Sequence, residues 1–105
     1  MERRKRRAAA TSLLVPTAVR VEADWNRTSP HWAFLNRLRI IDVPLDAVTA
    51  NTAAAIRERT RVSVADAHIG ATVQSAPEAD ISVITSDPED IRRVCVGRQV
   101  TIIAL

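Results

Sequence analysis

Three acidic residues, Glu22, Asp66 and Asp87, stand where an α/β chain can gather carboxylates. Asp87 follows Val83-Ile84-Thr85, a β-branched run that reads as the end of a strand. In open parallel sheets, ligands bind beyond the carboxyl ends of the strands. Asp66 falls in the first turn of a helix, and Glu22 falls in the helix after the first apolar run. If these elements are neighbours, the three acids converge on one rim. Crowded carboxylates repel one another, so the cluster points to a hard divalent cation such as Mg2+, which takes oxygen ligands and keeps several waters. One or two such ions activate water and stabilise the leaving oxygen in phosphodiester cleavage. Each acid also has a plain structural account. Asp87 can cap a helix for roughly 1 kcal/mol. Asp66 can favour the helix dipole by about 0.3–1 kcal/mol. Glu22 can simply be a solvated surface residue.

Other chemistries find less support. Cys95 is the single cysteine, which excludes an internal disulfide framework and a cysteine-rich zinc site, and it reads as buried and inert. His31 and His68 lack metal-ligand spacing, and His68 reads as structural or supporting rather than as a general base. Trp25 and Trp32 read as core or partner-facing residues. Aromatics are scarce and none is interleaved with the basic residues, so base stacking is poorly supported.

The formal charge is +3, but it is unevenly placed. Five of the 15 basic residues and one of the 12 acids lie in residues 1–7, so that arm carries +4 and the rest of the chain −1. The arm reads as a solvated helix end or tail. Its functional alternative is salt-dependent, sequence-blind attraction to phosphates. No apolar run approaches the roughly 18–20 residues of a membrane span. The stretch after the arm is interrupted by Thr11 and Ser12 and stops at Pro16, too short for a secretory signal, so a cytoplasmic location is expected.

The elements that must position the acids follow from periodicity. With 105 residues there is room for one domain, read as a basic arm over 1–12 and a folded body over 13–105. Leu13-Leu14-Val15 reads as a strand, and Thr17 to about Arg27 as a helix with Ala18, Val21 and Trp25 facing the core. Ser29-Pro30 opens a second helix, with Phe34, Leu38 and Ile41 on one face. Arg39 to Val43 reads as a strand and Asp46 to about Arg59 as an alanine-rich helix. Ser63-Val64-Ala65-Asp66 has capping-box form and starts a helix to about Ala76, with Ile69, Val73 and Ala76 along one side. Ile81 to Thr85 is a strand, Asp87-Pro88 opens a helix with Asp87 as N-cap, and Gln99 to Ala104 is the last strand. Helices between short apolar strands imply an α/β fold with a mostly parallel sheet, covered on both faces, of which four strands can be placed.

From Leu13 to Leu105 the chain resembles a PIN domain of the kind found in VapC-type toxins of bacterial toxin–antitoxin pairs. The likeness is carried by Val64-Ala65-Asp66-Ala67-His68-Ile69 and by Val83-Ile84-Thr85-Ser86-Asp87-Pro88-Glu89-Asp90-Ile91. Leu14-Val15-Pro16 with Glu22, and Ile41-Asp42-Val43-Pro44-Leu45-Asp46, are similar to the family's second and third strands with their sequels. The resemblance implies a PIN-like three-layer sandwich and a Mg2+- or Mn2+-dependent endoribonuclease. Glu22, Asp66 and Asp87 would match the family's second, third and fourth catalytic acids. Asp66 and Asp87 would hold the metal, Glu22 would position water or metal, and Thr85, Ser86 and Asp90 would support them. RNA would be the substrate, a small antitoxin the partner, and a homodimer the assembly.

The family begins with an apolar strand carrying its first aspartate, in a pattern like V-L-D-x-S. Here the twelve residues before Leu13 resemble the basic end of the helix that follows that strand. The expectation is therefore a domain truncated at its N-terminus, with three carboxylates in place of four and without the central strand. Strands lie about 4.8 Å apart, so the neighbours of that strand would be left roughly 10 Å apart unless they rearrange. Unpaired buried backbone groups cost about 1–3 kcal/mol each. The chain is accordingly expected to be inactive or poorly folded unless translation starts upstream. Two alternatives stand beside the nuclease: an inactive PIN remnant that still binds an antitoxin, and a basic-armed nucleic-acid binder without chemistry.

Overall fold

The computed structural model describes residues 13–37 and 40–104. The readings of the basic arm, of Leu38 and of the start of the second strand at Arg39 lie outside those residues. Strand β1 (Leu13–Pro16) runs straight into helix α1 (Thr17–Glu22). A 3-10 turn (Pro30–Trp32) and the single turn α2 (Ala33–Asn36) lead to β2 (Ile40–Val43). Helices α3 (Ala47–Thr60) and α4 (Val64–Ser75) follow, then β3 (Ser82–Thr85), α5 (Pro88–Val94) and β4 (Thr101–Ala104).

Helix starts obey the capping chemistry. Asp46 accepts the Thr49 N–H at 2.9 Å and begins α3, and those bonds hold its carboxyl below the ordinary value. Ser63 Oγ accepts the Asp66 N–H at 3.1 Å and begins α4. Arg61, in the left-handed region at φ 64°, ends α3 and turns the chain into α4. The far end of α4 is closed by Arg98, whose guanidinium donates to the carbonyls of Val73 (2.7 Å), Ala76 (3.0 Å) and Glu78 (2.8 Å). These are carbonyls at and beyond a helix end that lack helical partners.

The core lies among α3, α4, α5 and β3. Ile56, Ala67, Ala71, Val83, Ile91 and Val94 form it, and Ile91 and Val94 are fully enclosed. Full burial of such side chains stabilises by about 1.5–3 kcal/mol each. Gly70 lets α4 and α5 touch, since a Cβ there would sit 2.8 Å from Val94 Cβ and 3.0 Å from the Val94 carbonyl oxygen. Cys95 is buried beside this core, and burial raises its thiol pKa.

The strands do not form the expected single sheet. Among the described residues they make two parallel pairs, β1 with β2 and β3 with β4, and no ladder joins one pair to the other. Nor are both faces covered. Leu14 is registered with Ile41, and Ile84 with Ile103, and all four side chains are exposed. The helices serve one face of each pair, and no described strand lies between the pairs to continue the hydrogen bonding.

Two helices also fall short. The chain leaves α1 at Glu22 because Asp24 turns to φ 55° and the Trp25 N–H bonds the Arg20 carbonyl at 2.8 Å. Val21 is therefore 78% exposed, off the core it was expected to face. Trp25 is buried, but in the following loop, where it stacks on Trp32 with ring centroids 5.5 Å apart and donates from Nε1 to Asn36 at 2.9 Å. The helix expected from Ser29 shrinks to the 3-10 turn and α2, with Ser29 Oγ accepting the His31 N–H. Phe34 faces out, and Ile41 belongs to β2.

Candidate metal centre

Asp66 is carried on the first turn of α4, Asp87 on the turn after β3, and Asp90 on the first turn of α5. The contact of α4 with α5 brings the three together, each offering a carboxylate oxygen within 4.8 Å of the others. Asp66 and Asp90 are partly buried and Asp87 is exposed. All the donors are hard oxygens, the set that suits Mg2+ or Mn2+.

Asp87 occupies the N-cap position of α5, but its side chain makes no capping bond. Its own N–H instead donates to Thr85 Oγ1 at 2.9 Å, and Thr85 is buried. The capping account of Asp87 is thereby corrected. Its backbone, at φ −132° and ψ 70°, lies outside the extended conformation that Asp46 and Ser63 adopt as caps, and its carboxylate lies in the cluster.

The electrostatics record the crowding. Burial raises the Asp66 carboxyl above its ordinary value, and the charges of Asp90, Asp87 and Glu22 raise it further, while the Ser63 hydroxyl opposes them. Asp90 is raised first by a hydrogen bond to the Asp87 side chain, then by desolvation and the Asp87 charge, with Arg93 opposing. Arg93 Nη2 lies 2.8 Å from Asp90 Oδ1, a resident countercharge. A divalent cation would relieve the same strain.

Glu22, the last residue of α1, lies near enough for its charge to act on Asp66 but outside the three-carboxylate group. It is exposed, on a helix with no buried residue. Ser86 is exposed at the bend before Asp87 and makes no side-chain hydrogen bond among the described residues. Asp90 joins the potential ligands themselves. Its i, i+3 spacing from Asp87 across a helix start is the signal in the sequence that places it there.

His68, two residues after Asp66, is fully buried. Its Nδ1 accepts the Ala18 N–H at 3.3 Å, which ties the start of α1 to α4, and its Nε2 has no hydrogen-bond partner. Burial lowers its pKa below 6.5, against smaller opposing pulls from Pro44 and Asp46. An imidazole held in this way ties α1 to α4.

No helix among the described residues is long and apolar enough to cross a membrane. Compared with family models, curated proteins and solved structures, the chain matches none.

Proposed function

We propose that the chain is a metal-dependent endoribonuclease resembling the VapC-type PIN toxins, cutting RNA phosphodiester bonds beside Asp66, Asp87 and Asp90. The observation that carries this reading is the convergence of those three carboxylates from separate elements at the carboxyl end of β3. Asp66 and Asp87 hold the cation, Asp90 adds a third oxygen, and Glu22 stands at the rim to orient water or metal. Thr85 fixes the Asp87 backbone. Bound Mg2+ or Mn2+ supplies an activated water and charge neutralisation at the leaving oxygen. The three-layer PIN sandwich, a cytoplasmic setting, an antitoxin partner and a homodimer belong to the same proposal.

The test is cleavage of a labelled RNA with and without Mg2+. Cleavage that needs the metal and falls to background in Asp66→Ala supports the reading. Titration calorimetry with Mn2+ should show binding to the wild type and not to Asp66→Ala. Metal-independent cleavage, or full cleavage by the variant, overturns it.

A second reading has its own observation, the division of the described strands into two pairs that no described strand joins. That division is the one expected of a PIN sheet whose central strand is not among the four. Under this reading the chain binds an antitoxin without cutting. Antitoxin binding that is unaffected by Mg2+, in a protein that leaves RNA intact, selects it.

A further inference from the structure

The chain has two tryptophans, one phenylalanine and no tyrosine, and all three aromatic residues fall between Trp25 and Phe34. Residues 25–41 around them hold three arginines and a histidine, and no acid. Aromatics that are scarce over the whole chain are thus concentrated in one basic stretch, which restores base stacking as a chemistry open to this protein.

The stretch has a pinned side and an open side. Trp32 stacks on Trp25, and Asn36 accepts the Trp25 Nε1–H and donates to the Arg27 carbonyl. Trp32 and Asn36, four residues apart, therefore anchor one side of the 3-10 turn and α2. His31, Phe34 and Arg37 follow at three-residue spacing along another side, and all three are exposed. The Arg37 guanidinium lies over the Phe34 ring, with Cζ 6.0 Å from its centroid, a cation–π contact. Phe34 nonetheless stays 68% exposed, so much of the ring is open. An aromatic ring and a guanidinium plane are the surfaces on which unpaired bases stack. Arg20 and Arg27 share Asp42 at 3.1 and 3.4 Å, whereas Arg37 makes no salt bridge among the described residues.

We infer that His31, Phe34 and Arg37 form a stacking platform for the unpaired bases of a single-stranded nucleic acid. A base lies on Phe34, and Arg37 meets the phosphate beside it. Planar groups set in an acid-free basic stretch complement a polyanion that carries planar groups of its own. The platform uses none of the clustered carboxylates, so it holds a strand without metal and does not rest on the nuclease reading. It favours no particular sequence, because every base has a π-face. A duplex keeps its bases stacked inside and offers the platform little.

The test is fluorescence anisotropy of a short labelled RNA and of its DNA counterpart, each as single strand and as duplex, with the full chain in EDTA. Both single strands should bind, and both duplexes at least about tenfold more weakly. Phe34→Ala should weaken single-strand binding about tenfold. Phe34→Trp should retain it, and Phe34→Leu, which keeps apolar bulk without a π-face, should not. Arg37→Ala should weaken binding and reduce the slope against log salt by about 0.7, and Arg37→Lys should restore the slope. Urea midpoints of all these variants should stay with the wild type, because the altered side chains are exposed. Equal binding of single strand and duplex, or indifference to Phe34→Ala, would assign binding to phosphate contacts elsewhere on the chain and overturn the inference. Full affinity in Phe34→Leu overturns stacking. A chain that binds neither single strand at its highest soluble concentration overturns the platform and leaves the stripe to a protein partner.

Discussion

The two halves of the molecule carry their acids differently. In the half built from α3, α4, α5 and β3, side chains are enclosed and helices touch at Gly70. Three carboxylates there come within ligand distance. In the half built from β1, α1 and β2, the helix has six residues and buries none. Its acid, Glu22, is near the cluster but outside it. Carboxylates are held together against their repulsion where packing holds the backbone beneath them. A short exposed helix does not supply that constraint.

The contrast can be broken most directly at its core. Ile91→Ala should destabilise by about 2–5 kcal/mol in urea unfolding, because it empties a fully buried site between α4 and α5. Phe34→Ala, in the other half and 68% exposed, should stay within about 0.5 kcal/mol. Equal losses would erase the distinction. Gly70→Ala should cost about 1–3 kcal/mol through overpacking against Val94. By pushing α5 from α4 it should also weaken Mn2+ binding, while Ala54→Gly on the exposed side of α3 should leave binding unchanged.

The smallest effect concerns the tie between the halves. Because burial depresses the pKa of His68 in the folded state, the unfolded chain takes up the proton first as pH falls. His68 contributes its full stability above the unfolded value of 6.5 and loses it progressively as pH drops through that value. Urea midpoints measured from pH 7.5 to pH 5 should decline in the wild type and decline less in His68→Asn. An identical slope in both proteins would detach His68 from the acid response.

Much of this was legible in local chemistry. Asp46, Ser63 and Pro88 mark helix starts that the structure keeps, because capping depends on residues three or four positions apart. The cores of all four strands were readable from their β-branched and apolar runs. Asp66 and Asp87 were identified from their places at a helix start and a strand end, and the structure sets them side by side. What was not legible depends on partners distant in sequence. The early end of α1 rests on a positive φ at Asp24, a residue with no strong preference for it. The split between strand pairs is a matter of which edge meets which, and periodicity carries no such information. The roles of Gly70 and Arg98 lie in a helix contact and a long reach to carbonyls 20 to 25 residues back.

Among the described residues each strand has one hydrogen-bonded neighbour, which leaves a second backbone side of each outside any ladder. Such edges template further β-addition, the first step of fibril growth. Here each ladder is four residues long, and β1 ends in Pro16, which has no N–H to offer. An intruding strand would gain only a few hydrogen bonds before running off the end. Brevity is thus the guard against misassembly, and lengthening any of these strands by engineering would remove it.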